Sequence, residues 1–265
     1  MGATKVVYSS AIGGQIPAGL HSGPGALLVA QGIYEESLTA KTRIGERLQV
    51  GDRVFRYASA GAALLAGITC QSAILGGALT TLQTSRPVAV AAPIGASRIY
   101  TTALTTEQVK DVFADGWVVI HDDSAASCFL MRIKGNSILA TSGVASYLEL
   151  YDPLYVALTT NDQLEIMANP YKNVITIASA TTMTGAFVGI APRAVQSGYY
   201  FWLQTNGYAA AVPDAALDLD ELVMLGDTAG GVEKDSSTSL LLDIGMPVLI
   251  GTAAEGCIIN LQLLP

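Results

Sequence analysis

The chain is short of charge. Charged residues fill 14% of its 265 positions, against about 25% in an ordinary soluble domain. Histidine occurs only twice, at His21 and His121, and cysteine three times, at Cys70, Cys128 and Cys257. The cysteines stand far apart and form no Cys-x-x-Cys pair. Such an odd, scattered set is not a disulfide framework; it reads as reduced, buried thiols made in a cytosol. Long apolar runs are missing as well. Gly61–Ile68 and Val88–Ile94 fall well short of the roughly 20 apolar residues of a bilayer span, so no membrane helix is expected. Met1-Gly-Ala-Thr-Lys5 has no apolar core behind it, so no secretory leader is expected either.

What is present is apolar. Hydrophobic residues make up 51% of the chain. A protein this poor in charge covers part of its surface with something else, because large open apolar patches mark interfaces. The charge that exists is uneven. Residues 1–60 carry six bases against four acids, a net of +2, whereas residues 194–265 carry Lys234 against nine acids, a net of −8. An acidic surface of that kind repels phosphate backbones and argues against a nucleic-acid partner.

Residues 1–44 read as an extended arm, punctuated by Gly13-Gly14, Pro17, Gly19, Gly23-Pro24-Gly25 and Gly32. A β-rich body follows over 45–265, long enough for two subdomains dividing near residue 100. Short apolar strands recur at turn-separated intervals: Arg53–Ala58, Trp117–Ile120, Cys128–Ile133, Tyr147–Leu150, Leu154–Leu158, Leu164–Met167, Val174–Ala178, Leu222–Leu225, Leu240–Leu242, Pro247–Ile250 and Cys257–Leu264. That rhythm predicts a mainly β chain with antiparallel sandwich or barrel elements. Ala60–Gly67 fits a strand or a short buried helix. One short helix is predicted over Thr105–Phe113, where Thr105 and Gln108 form a capping box. Two glycine–asparagine pairs predict hairpins: Gly135-Asn136 as type II′, and Asn206-Gly207 as type I′ between strands Tyr199–Gln204 and Tyr208–Val212.

A search for chemistry finds little. His121-Asp122-Asp123-Ser124 holds the residue types of a hydrolytic triad, but triad members converge from separated parts of a fold, so the segment reads as a polar hairpin loop. His21 sits in the glycine-rich arm beside no nucleophile. Asp218-Leu-Asp220-Glu221 lacks the further spaced ligands and the glycine of a calcium loop. No nucleophile elbow, phosphate-binding loop or zinc-protease motif occurs. Neither a catalytic residue, a cofactor nor a metal is assigned. The aromatic run Gly198-Tyr-Tyr-Phe-Trp-Leu-Gln-Thr-Asn-Gly-Tyr208 is a packing device, and Tyr199, Tyr200, Trp202 and Tyr208 are the candidate interface residues.

Several segments occur in a recognisable order: Trp117-Val-Val-Ile-His-Asp-Asp123, Met131-Arg-Ile-Lys-Gly135, Leu150-Tyr-Asp-Pro-Leu-Tyr-Val-Ala-Leu-Thr-Thr160, Asn169-Pro-Tyr171 and Gly198-Tyr-Tyr-Phe-Trp-Leu-Gln-Thr205. In these the chain resembles capsid-associated structural proteins of tailed bacteriophages, from about residue 45 to the C-terminus. It departs at Asn206, where the relatives tend to carry another aromatic. The resemblance implies a non-enzymatic decoration (cement) protein on the outer surface of the head, made in the bacterial cytoplasm. It would form a homotrimer clamped over junctions between major capsid subunits, with neither membrane nor nucleic acid as partner. The alternatives are another virion component (turret, head fibre or tail part) and a carbohydrate-binding receptor module built on the aromatics.

Overall fold

A computed structural model describes residues 31–73, 86–102, 107–123, 127–140, 146–179, 183–235, 243–251 and 255–263. The chain is mainly β. In order, β1 (Arg47–Val50), β2 (Arg53–Ser59) and β3 (Thr69–Gln71) come first. Then follow β4 (Arg86–Val90), β5 (Arg98–Thr101), β6 (Trp117–Asp122), β7 (Ser127–Asn136), β8 (Ser146–Leu150) and β9 (Gln163–Met167). The last group is β10 (Ile175–Thr176), β11 (Phe187–Ile190), β12 (Tyr200–Ala211), β13 (Val223–Leu225), β14 (Val232–Lys234), β15 (Asp243–Leu249) and β16 (Cys257–Gln262). Two compact units result, and the second, Ile74–Asn169, is inserted into the first, Met1–Ala73 with Pro170–Pro265. Tyr100, near which a division was expected, lies inside β5.

The first unit is a ten-stranded antiparallel sheet ordered β10-β3-β11-β12-β16-β15-β13-β14, with the β1–β2 hairpin joined to β12. β12 organises it. The predicted hairpin at Asn206-Gly207 is not there: β12 runs unbroken through both residues. Its first half pairs with β2 and its second half with β16, and the register slips between Gln204 and Asn206. Part of the expected turn geometry is present, since Gly207 adopts positive φ, at 83°. A β-bulge uses that same conformation to kink a strand without reversing it.

The bulge has a second effect. One residue added to a period-two strand moves every later side chain to the opposite face. Before it, Phe201 and Leu203 enter a front-face core with Ala58, Leu64 and Val195, while Trp202 points to the back. After it, Ala209 and Ala211 enter the back-face core with Ile259, Leu261 and Val223. Tyr208 and Ala210 therefore stand on the front.

The described part of the arm straps across the back of β2 and β12. Tyr57, Phe55 and Trp202 form a buried aromatic cluster there, with Tyr57 and Trp202 edge to face at 4.9 Å. Trp202 Nε1 donates to the Gln31 carbonyl at 2.9 Å, and Tyr57 Oη donates to Gln31 Oε1 at 2.7 Å. Ser37 pairs with Tyr200 through two backbone bonds. The strap thus covers a strand edge that would otherwise be open. Burial raises the Tyr57 hydroxyl above its ordinary pKa, against a smaller lowering by the Lys41 backbone N–H.

The inserted unit is a closed six-stranded antiparallel barrel ordered β4-β5-β8-β7-β6-β9. Alternate residues such as Ile99, Val118, Ile120, Ile133, Leu148 and Leu164 fill its interior, as expected of a narrow barrel. Two expectations fail here. Among the described residues there is no helix; of the predicted one, Thr105 lies outside them, and 107–115 forms turns and a bridge. Gln108 exchanges backbone bonds with Leu139, the Asp111 N–H donates to the Asn136 carbonyl, and the Phe113 N–H donates to Asn136 Oδ1. Those outside partners take the donors that a helix would keep, and Asp111 sits at φ 59°. The capping-box pattern was local; its competitor, Asn136, lay over twenty residues away. The Gly135-Asn136 hairpin fails as Asn206-Gly207 does, because β7 continues through both with a register slip against β8.

Smaller differences follow one pattern. Ala60–Gly67 is neither strand nor helix but is held by bridges from Ala60 to Val174 and Leu64 to Val195. Leu154–Leu158 likewise contributes only the Leu158–Ala92 bridge. Leu240–Leu242 lies outside the described residues.

Candidate functional site

The segments that carry reactive residue types do not converge. His121 is exposed on the outer side of β6, whereas Asp122 is buried on the opposite side. The Asp123 N–H donates to Asp162 Oδ1 at 2.9 Å, which ties the residue into the polar hairpin expected of it. Ser124 and His21 lie outside the described residues. Asp218 and Glu221 hold Lys234, at 2.6 and 3.5 Å. The hydrogen bond and charge of Asp218 raise the lysine pKa. Among the described residues no cluster of three His, Cys, Asp or Glu side chains is placed to hold a metal.

The thiols divide. Cys70 and Cys257 are buried, and desolvation pushes Cys70 up to about 12 and raises Cys257. Cys128 is exposed, contrary to expectation, because it takes an outward position on β7, paired across the ladder with His121.

The four aromatic interface candidates do not share a surface. Trp202 is 3% exposed, and Tyr200 packs beside it on the back face, stacked on Tyr57 at 6.0 Å between ring centres. Tyr199 packs against the front-face core. Only Tyr208, 53% exposed, is open. Strand alternation puts Tyr199 opposite Tyr200 and Trp202, and the bulge between Gln204 and Asn206 turns Tyr208 to the front.

Tyr208 instead belongs to an arrangement that the sequence did not disclose. Its ladder partner is Asn260, which pairs in turn with Met246; Ala210 pairs with Ile258, which pairs with Leu249. Directly paired residues share a face, so these rows lie side by side across β12, β16 and β15. Met246, Val248, Leu249, Ile258 and Tyr208 are all exposed. Outward positions of a one-sided antiparallel sheet are normally polar; here they are apolar. The available sign was the unbroken apolar run Pro247–Ile250, which has the pattern of one more short strand.

The margins of this face carry opposite charge. On the β1–β2 side Arg47 pairs with Arg56, and Arg56 with Leu203 of the front core. On the far side Asp243 and Glu233 both pair with Met224. Desolvation first, then the charges of Asp227 and Asp214, raise the Glu233 pKa. A raised carboxylate contributes stability that is complete below its unfolded pKa and is lost as pH rises through the folded value. Glu233→Gln is therefore expected to raise the thermal midpoint at neutral pH and to leave it unchanged below about pH 4. Midpoints that shift equally at both pH values would show that the ionisation of Glu233 is not the cause.

Comparison of the chain with family models, curated proteins and solved structures returns no match in any of the three.

Proposed function

We propose that this chain is a non-enzymatic structural protein of a tailed-phage head. It binds the outer surface formed by the major capsid protein, associates with further copies of itself, and stabilises the shell. The observation that carries this reading is the open apolar face around Tyr208, Ile258 and Met246. Such a face has to be covered, and a protein held in many copies on a shell finds that cover by association. Apolar burial contributes roughly 25 cal/mol per Å² before association costs. The ordered sequence resemblance points the same way, and the acidic C-terminal quarter keeps the assembled particle soluble.

Heads assembled without the protein are expected to release DNA at a lower temperature than complete heads, and added protein should restore them. Equal release temperatures would overturn the reading. Copy number on the scale of the major capsid protein separates decoration from a turret, fibre or tail part. The sugar-binding alternative loses its platform, since Trp202 is buried and the aromatics divide between two faces.

A further inference from the structure

We infer that a second copy of this chain seats on the front face of β12, β16 and β15, face to face, about a two-fold axis running along the strands. The inference rests on the self-association in the proposed function and adds the surface and a two-fold geometry, where the resemblance implied a homotrimer. Three observations support it.

The first is extent. Tyr208, Met246, Val248, Leu249 and Ile258, with Ile250 just beyond β15, are each exposed by between 38% and 53%. Together they open on the order of 500 Å² of apolar surface, near the upper end for a monomer and enough to centre an interface of about 800 Å² per partner.

The second is the absence of charge within the patch. Its rows read Tyr208–Asn260–Met246 and Ala210–Ile258–Leu249, with no ionisable carboxylate or ammonium among them. Depletion of charge at the centre is what distinguishes an interface core from ordinary surface.

The third is the arrangement of charge at the margins, and it selects the partner. Strand order runs β1-β2-β12-β16-β15-β13-β14 across this face. Arg47 and Arg56 lie on the two strands at the start of that order, Glu233 lies on β14 at its end, and Asp243 shares the Glu233 row from the first position of β15. β12 and β15 both run antiparallel to β16 and so run the same way. Asp243 precedes Met246 along β15 as Leu203, the partner of Arg56, precedes Tyr208 along β12. The basic and acidic groups therefore flank the same end of the patch. A two-fold axis along the strands exchanges left for right and preserves position along the strand. Centred on β16, it lays Arg47 on β1 of one copy over Glu233 on β14 of the other, twice, with the apolar rows facing each other. Isologous contacts of this kind are self-complementary.

Sedimentation of the isolated full-length chain tests the pairing, with circular dichroism to confirm that each variant is folded. The wild type is expected to associate reversibly. Ile258→Asp and, on a separate strand, Met246→Lys should each weaken association by about 100-fold. Arg47→Glu and Glu233→Lys should each weaken it by about tenfold, and the two together should return to near wild-type affinity, because each reversed charge then meets its opposite. A chain that stays monomeric at high micromolar concentration would overturn the inference. So would association that survives Ile258→Asp and Met246→Lys in folded protein, or a double charge reversal that is worse than either single one. Loss of pairing with unchanged protection of phage heads would remove this surface alone and leave the proposed function standing.

Discussion

Trp202→Ala is expected to destabilise the ten-stranded unit by about 3–5 kcal/mol, the range for removing a buried large aromatic. The side chain packs edge to face on Tyr57, and its indole N–H is the donor to the Gln31 carbonyl. Removing it leaves a cavity against Tyr57 and a buried carbonyl without that donor, and both effects have the same sign. At about 2–4 °C per kcal/mol for a unit of this size, the thermal midpoint should fall by roughly 10 °C. Trp202→Phe separates the two contributions: it keeps most of the packing and should cost only about 1–2 kcal/mol. The strap should respond too, with cleavage after Lys41 or Arg43 accelerating in the alanine variant. Full stability in Trp202→Ala would mean that the strap and its aromatic cluster do not support this sheet.

Gly207→Ala should cost about 3 kcal/mol or more, and its comparison with Gly51→Ala decides between two structures. Both glycines have positive φ, 83° and 64°, where a side chain alone costs roughly 1–2 kcal/mol. Around Gly51 nothing lies within 4 Å of an added Cβ, whereas at Gly207 it would come within 2.5 Å of the Asp52 carbonyl oxygen. That oxygen belongs to the β1–β2 turn, and moving it would shift the register that β12 shares with β2. In a free hairpin turn, the two substitutions would cost the same. Denaturant midpoints for the two variants settle the matter, and equal losses would rule out the continuous strand.

How far the sequence discloses this fold depends on the range of the interaction. Most apolar strands were legible, because alternation and turn residues are local: Trp117–Ile120, Tyr147–Leu150 and Leu164–Met167 all fall within strands. The errors occur where a local preference met a distant partner. Thr105 and Gln108 carry a helix start, but Asn136 takes the backbone donors. Asn206-Gly207 and Gly135-Asn136 carry turn sequences, but pairing with β2 and β16 in one case and with β8 in the other holds those residues in strands. The candidate surface was hidden for the same reason. Whether Tyr208 faces the side of Trp202 or the opposite side is decided by one bulged residue, and no composition or periodicity records it. Cys128 looked like any other apolar strand residue, and only the barrel's handed alternation puts it outside.

The point of insertion of the barrel bears on how the chain finds this fold. β3 and β10 are direct neighbours, with Cys70 opposite Thr176 and Gln71 opposite Ile175. In the unfolded chain, joining them closes a loop of about a hundred residues, whose entropy grows only with the logarithm of its length but is lost before the contacts form. The intervening segment is a closed barrel with its own core. β4 and β9, near the two ends of that barrel, are themselves paired. The insertion therefore has the topology of the loop of an oversized hairpin, and a barrel that forms first would convert a distant pairing into a local one.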